Sequence, residues 1–163
     1  MCRAGAALLA LLALAAGCRY TGGVRPRHGA LPQSQLINAT IPSAGLIDEL
    51  SAAVQAAGFT VQRISAREGY LETRWFDVTT RQSVSPPFSG LDRVVKLRFF
   101  ADDIQGRTRL LAECVQRIAW DPSVPERELE RVVPEGHLGR VLMDSLVAPF
   151  KADSTMRGPP IRA

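Results

Sequence analysis

The sequence predicts an α+β domain in which two helices pack on one face of a four-stranded antiparallel sheet, in the order α-β-β-β-β-α. Three observations carry that expectation. Apolar residues recur at helical spacing over residues 43–57, the period then falls to two in four successive runs up to residue 120, and helical spacing returns near residue 135. A sheet with one apolar face needs a cover, and two amphipathic helices supply it.

Ser43 is placed to cap the first helix, because its side-chain oxygen can accept from the free amides of the first turn. Leu46, Ile47, Leu50, Val54 and Ala57 fall three and four apart on one side, opposite Asp48, Glu49, Ser51 and Gln55. Gly58 follows, where a left-handed residue commonly ends a helix, and Phe59 can fold back on the last turn. Residues 59–65 read as a short strand and Arg67-Glu68-Gly69 as a turn. Over 70–78, Leu71, Thr73 and Trp75 alternate with Tyr70, Glu72, Arg74 and Phe76. Pro86, Pro87 and Gly90 mark a longer connection.

The clearest strand spans 92–101, with Val95, Leu97 and Phe99 facing one way and Lys96 and Arg98 the other. Asp102 to Gly106 reads as a turn. Leu110, Ala112, Cys114 and Ile118 then alternate with Arg109, Glu113 and Arg117, until Pro122 and Pro125 end the run. The last helix starts near Glu135, carries Leu138, Val141, Leu142, Ser145 and Leu146 as its inward stripe, and stops at Pro149.

The first 17 residues have the parts of a secretory signal peptide: Arg3 as the charged region, Ala4 to Ala16 as the apolar region, and small residues before a cut. The apolar run of about 13 residues falls short of the roughly 20 that a membrane-spanning helix needs. The segment Leu14-Ala15-Ala16-Gly17-Cys18 resembles the lipobox of bacterial lipoproteins, with Ala15 where the family most often has Leu. That resemblance implies cleavage before Cys18, lipid (diacylglyceryl and palmitate-type acyl chains) on its sulfur and amine, and attachment to a membrane. Two or more hydrophobic signals make a stable anchor. Arg19 stands where an Asp would, by the sorting rule of such lipoproteins, retain the protein at the inner membrane, so the resemblance implies the periplasmic face of the outer membrane.

Residues 18–39, with Gly22, Gly23, Pro26, Gly29 and Pro32, read as a flexible tether, residues 40–151 as one domain, and residues 152–163 as a disordered tail. Of the three cysteines, Cys2 leaves with the signal peptide and Cys18 carries lipid, leaving Cys114 in an apolar run where a buried, inert thiol is expected.

The chain is 46% hydrophobic and 22% charged, near the globular average. Removing Arg3 leaves 19 basic against 16 acidic residues, too small and scattered an excess for a nucleic-acid partner. The chemistry-bearing residues are few. His28 and His137 are far apart in sequence, and Cys114 with one His is not a metal-ligand set. Asp102, Asp103, Glu126, Glu128 and Glu130 lack calcium-loop spacing and read as a turn and a solvated helical face. No nucleophile-elbow or phosphate-loop pattern occurs. The expectation is a protein without catalytic residues, metal or cofactor.

A helix ending in Gly58-Phe59, a short strand, and then Gly69-Tyr70-Leu71-Glu72-Thr73-Arg74-Trp75 resembles the helix-grip units of the lipoprotein C component of the outer-membrane β-barrel assembly machine. That family has two such units and this chain has room for one. The order of elements also resembles the small lipoprotein of the lipopolysaccharide-export complex. Both resemblances imply a binding or assembly module in the cell envelope with a protein partner, the alternative from another class being a small envelope hydrolase. The candidate docking face is the polar side of the sheet: Tyr70, Arg74, Phe76, Lys96, Arg98, Arg109 and Arg117, where arginine forks suit anions and the aromatics suit an interface. The competing reading of those charges is a solvated ladder of cross-strand pairs, each worth roughly 0.2–1 kcal/mol.

Overall fold

The computed structural model describes residues 23–152, and its first element lies where the composition argues for a tether. Gln35–Ala39 forms a strand, β1, paired antiparallel with residues 108–112. Ile37 enters the core while Leu36 and Asn38 stay exposed, the period of a half-buried strand. Pro32 and Pro42 on either side hide so short a run. The folded unit therefore begins ahead of residue 40, a correction to the boundary expected above. The signal segment 1–17, Cys18 and residues 153–163 lie outside the described residues.

α1, Ser43–Ala56, buries Leu46, Ile47, Leu50 and Val54 as their spacing requires. At its end the Phe59 amide donates to the Val54 carbonyl at 3.0 Å and the Gly58 amide to Gln55 at 2.9 Å, the paired bonds of a Schellman ending. Gly58 takes φ +95° there, a conformation that costs glycine little. The start of α1 corrects the sequence expectation. Pro42 is the capping residue and Ser43 the first helical one. The amide and Oγ of Ser43 both donate to Asp103, at 3.0 and 2.7 Å. A carboxylate sixty residues away thus meets the positive end of the helix dipole.

The remaining strands are β2 (Val61–Ser65), β3 (Tyr70–Thr73), β4 (Trp75–Asp77), β5 (Gln82–Val84), β6 (Val94–Ile104), β7 (Arg107–Arg117) and β8 (Glu130–Val132). Among the described residues all pair antiparallel in one sheet of eight strands, not four, with β1-β7-β6-β3-β2 as its main order. β4 lies against β6 beyond the end of β3, β5 flanks β4, and β8 pairs with the far part of β7. Asp102 and Asp103 belong to β6; the turn to β7 is Gln105-Gly106, both with positive φ, as tight hairpins prefer.

The run 70–78 is two strands because it breaks at Arg74. There the Arg74 amide donates to Thr60 at 2.8 Å, and the Thr73 hydroxyl accepts from the Leu97 amide at 3.0 Å. The side-chain alternation inverts across the break, since an offset of one residue exchanges the faces of a strand. Phe76 consequently stacks on Phe59 in the main core, with ring centroids 4.0 Å apart, and Trp75 passes to the opposite face.

α2, Leu138–Val147, also departs from its expected stripe. Gly139, Met143 and Val147 are buried, followed by Phe150, whereas Leu138 and Val141 are 60% and 51% exposed. Leu142 and Leu146 are half-buried against the core. The helix rests on its small residue: a Cβ at Gly139 would lie 2.7 Å from Val95 Cγ1 and 3.0 Å from Cys114 Sγ. Both helices share one core with Leu71, Val95, Leu97, Phe99, Leu110, Ala112 and Cys114. Cys114 is a free, fully buried thiol, and burial pushes its pKa well above the ordinary value.

Candidate functional site

Strand alternation sends Tyr70 and Glu72 from β3, Lys96 and Arg98 from β6, and Glu113 and Arg117 from β7 to the face away from the helices. That face is covered. Residues 23–34 cross it as a strap, and the connection between β7 and β8, containing a short 3-10 turn at Glu126–Leu129, closes the rest, with β8 at the sheet's edge. The sheet therefore has a layer on each side.

Beneath the cover the charges are paired. Arg98 makes two bonds to Glu130, at 2.5 and 2.8 Å, and lies 3.7 Å from Glu72 and 4.0 Å from Glu113. Lys96 sits between Glu126 at 3.0 Å and Glu72 at 3.4 Å. Arg127 grips Glu113 with two bonds, at 2.6 and 2.8 Å, and Arg117 reaches Glu126 at 4.0 Å. Four acids thus meet four bases. Tyr70 donates its hydroxyl to Glu72. Burial would lower the Arg98 pKa, yet the Glu130 hydrogen bond and charge outweigh it and hold the guanidinium protonated. Burial would raise the Glu113 pKa, and Arg127 with the Leu31 amide reverses that, leaving it below the ordinary carboxylate value. Burial and the Glu72 contact raise the Tyr70 pKa.

Burying a charge costs desolvation even when it is paired, but a charge left there without its partner costs far more, so each of these groups depends on the others. The arrangement acts as a staple. Glu113 accepts from the Leu31 amide at 3.0 Å and the Ser34 hydroxyl at 3.3 Å, and Arg127 donates to the Gly29 carbonyl at 2.8 Å, which pins the strap to the sheet.

The expected docking face is corrected accordingly. Tyr70, Lys96 and Arg98 are interior, Phe76 lies in the core on the other side, and Arg117 is mostly covered, stacked over Trp120 at 4.1 Å. Only Arg74 and Arg109 are exposed, and they are not neighbours: Arg109 pairs across the ladder with Asp102 near the hairpin tip, Arg74 adjoins Trp75 at the other end. The acidic residues expected on a solvated helix are divided as well: Glu126 and Glu130 bind Lys96 and Arg98, and Glu128 is exposed.

A cleft of about 630 Å³ opens between the strap and the tip of β6 and β7, lined by Arg25, Arg27 and His28 from the strap and by Glu68, Phe100, Asp102 and Leu111 from the sheet side. Arg25 bridges its rim with two bonds to Asp102, at 2.7 and 2.8 Å, and its amide donates to Glu68 at 2.7 Å. At the opposite end of the long strands, Phe88 lies between Trp75 and Trp120, with centroids 5.4 and 5.0 Å away. The cleft residues were invisible to periodicity because the strap has no regular structure; the cluster Arg25-Pro26-Arg27-His28 was the one signal, a local excess of cations in a segment otherwise small and neutral.

No protein-family model matches this sequence, and no curated protein matches it.

Proposed function

We propose that the chain is a bacterial lipoprotein, held by lipid on Cys18 at the periplasmic face of the outer membrane, whose domain is a non-catalytic binding or assembly module of the cell envelope. The observation that carries the reading is Leu14-Ala15-Ala16-Gly17-Cys18 directly behind an apolar run too short to span a bilayer, with Arg19 after it. The likeness to a helix-grip unit supports the module reading, because α1 lies along an antiparallel sheet as such a unit requires. The non-catalytic reading is supported by how the polar groups are spent: among the described residues the buried carboxylates Glu72, Glu113 and Glu130 are engaged by Lys96, Arg98 and Arg127, Asp77 is engaged by Arg93, and the Cys114 thiol is sealed under α2.

The test is metabolic labelling with a palmitate analogue. Wild-type protein should take the label and Cys18→Ala should not, while also retaining its signal segment. A wild-type protein that incorporates no label would remove the anchor and, with it, the assigned location.

A further inference from the structure

The hairpin tip, the strap and the turn beside them carry five arginines (Arg25, Arg27, Arg67, Arg107 and Arg109) against three acids (Glu68, Asp102 and Asp103), an excess of two positive charges. Only Asp102 is ion-paired, while Glu68 and Asp103 are held by neutral donors and keep their charge. Asp102 is bound by Arg25, Glu68 accepts from the Arg25 amide, and Asp103 is held by Ser43 and Thr108. Arg27, Arg67, Arg107 and Arg109 are exposed, and none has an acidic partner within 4.0 Å among the described residues. Their placement is one end of the molecule. Arg107 stands opposite Ile104 and Arg109 opposite Asp102 in the β6–β7 ladder, Arg27 lines the cleft with Asp102, and Arg67 precedes Glu68 on the turn that Arg25 clasps. Ile104 and Val24 are exposed among them, at 41% and 40%.

We infer that this end of the domain docks on an anionic phospholipid surface, with the cleft between the strap and Phe100 admitting a headgroup phosphate beside Arg27. Two observations select that occupant. The charge is complementary, since arginine forks bind phosphate and each cation close to an anionic bilayer contributes fivefold or so to partitioning. The described chain also begins here: Gly23 is five residues past Cys18, a reach of at most about 18 Å, so a lipid on Cys18 holds this end, and not the Trp120 end, against the headgroups. Exposed Ile104 and Val24 flanked by arginines fit the headgroup boundary, where an apolar side chain and a cation are both accommodated. The inference rests on the lipoprotein reading for its orientation and extends it from an anchor to a seated domain.

The test uses the chain from residue 19 onward, which lacks the lipid-bearing cysteine. It should fold, because every residue of the two cores lies between Leu31 and Phe150. Sedimentation with vesicles of phosphatidylglycerol and phosphatidylcholine should capture it, vesicles of phosphatidylcholine alone should not, and salt should weaken capture. Arg27→Gln, Arg107→Gln and Arg109→Gln together should lower the partition coefficient on the order of a hundredfold, from the fivefold contribution of each. Arg74→Gln with Arg81→Gln, exposed arginines away from the hairpin tip, should leave it within about twofold, because screening confines the attraction to charges near the surface. Equal capture on neutral vesicles, equal loss in the control pair, or unchanged binding by the triple variant would each overturn the inference, as would full displacement by inorganic phosphate at matched ionic strength, the sign of a free-anion site. Failure of palmitate labelling with vesicle capture intact would count against the anchor alone, and labelling without capture against this surface alone.

Discussion

Glu113→Ala tests whether the buried ion pairs hold the strap. The wild-type carboxylate has no exposed surface and accepts four bonds: two from Arg127, one from the Leu31 amide and one from the Ser34 hydroxyl. Removing one partner of a buried pair costs about 3–5 kcal/mol, most of it the penalty on the charge left behind. Here the penalty falls at the lower end, because Arg127 is already 19% exposed and can rehydrate, and Arg98 keeps Glu130. The expected loss is about 3 kcal/mol, or roughly 10 °C in thermal midpoint for a domain of this size. Circular dichroism reads the midpoint, and limited trypsin digestion reads the strap, where Arg27 should become the first site cut. The loss should depend on pH. The Glu113 pKa is depressed in the folded state, so its stabilising effect is present above the ordinary carboxylate value of 4.5 and fades as pH falls through the lower folded value. Wild type and variant should therefore differ fully at pH 7 and converge in strong acid. A midpoint within two or so degrees of wild type at pH 7, with the strap no more cleavable, would refute the view that this pair is what pins it.

Gly139→Ala should destabilise by up to about 2 kcal/mol although alanine favours helix, because overpacking against Val95 and Cys114, about 1–3 kcal/mol, outweighs the propensity gain of about 1 kcal/mol; a urea midpoint decides, and adding Val95→Ala should restore part of the loss. Cys114 should react with a thiol reagent only after denaturation, and rapid labelling of the folded protein would contradict its burial. Arg98→Gln should cost about 3 kcal/mol or more, whereas Arg109→Gln, exposed and without an ion pair, should stay within about 0.5 kcal/mol; thermal melts of the two variants, side by side, would expose an error if they fell together.

Much of the helix-facing half of this protein was legible in the chain. Leu46, Ile47, Leu50 and Val54 announce α1, Gly58 its end, and Val95, Leu97 and Phe99 the inner face of β6. The other half was not, for a physical reason. Alternation reports that Lys96 and Arg98 point away from the apolar core, but a polar face against water and a polar face against a matching polar layer have the same period. What separates them is the partner supply, Glu113, Glu126, Arg127 and Glu130, drawn from positions that read locally as strand surface and loop. Trp75 and Phe76 were assigned to exchanged faces because a break at Arg74 leaves no mark in composition. In α2, two stripes were available, and the choice fell to Gly139, where closeness of approach outweighs hydrophobicity. The candidate docking surface moved for the same reason: only charges without a local partner are free to meet anything else.

The strap has a mechanical consequence. Tension applied to the chain ahead of residue 23 reaches Arg25 and its bonds to Asp102 first, then the Glu113 and Arg127 clasp at Gly29 and Leu31, and the β1–β7 ladder only after both. Bonds loaded one after another yield in sequence, so residues 23–34 would peel away to a total span of at most about 40 Å before any strand or helix bears the load. Released in that order, the strap would lengthen the link ahead of β1 while the core stays closed.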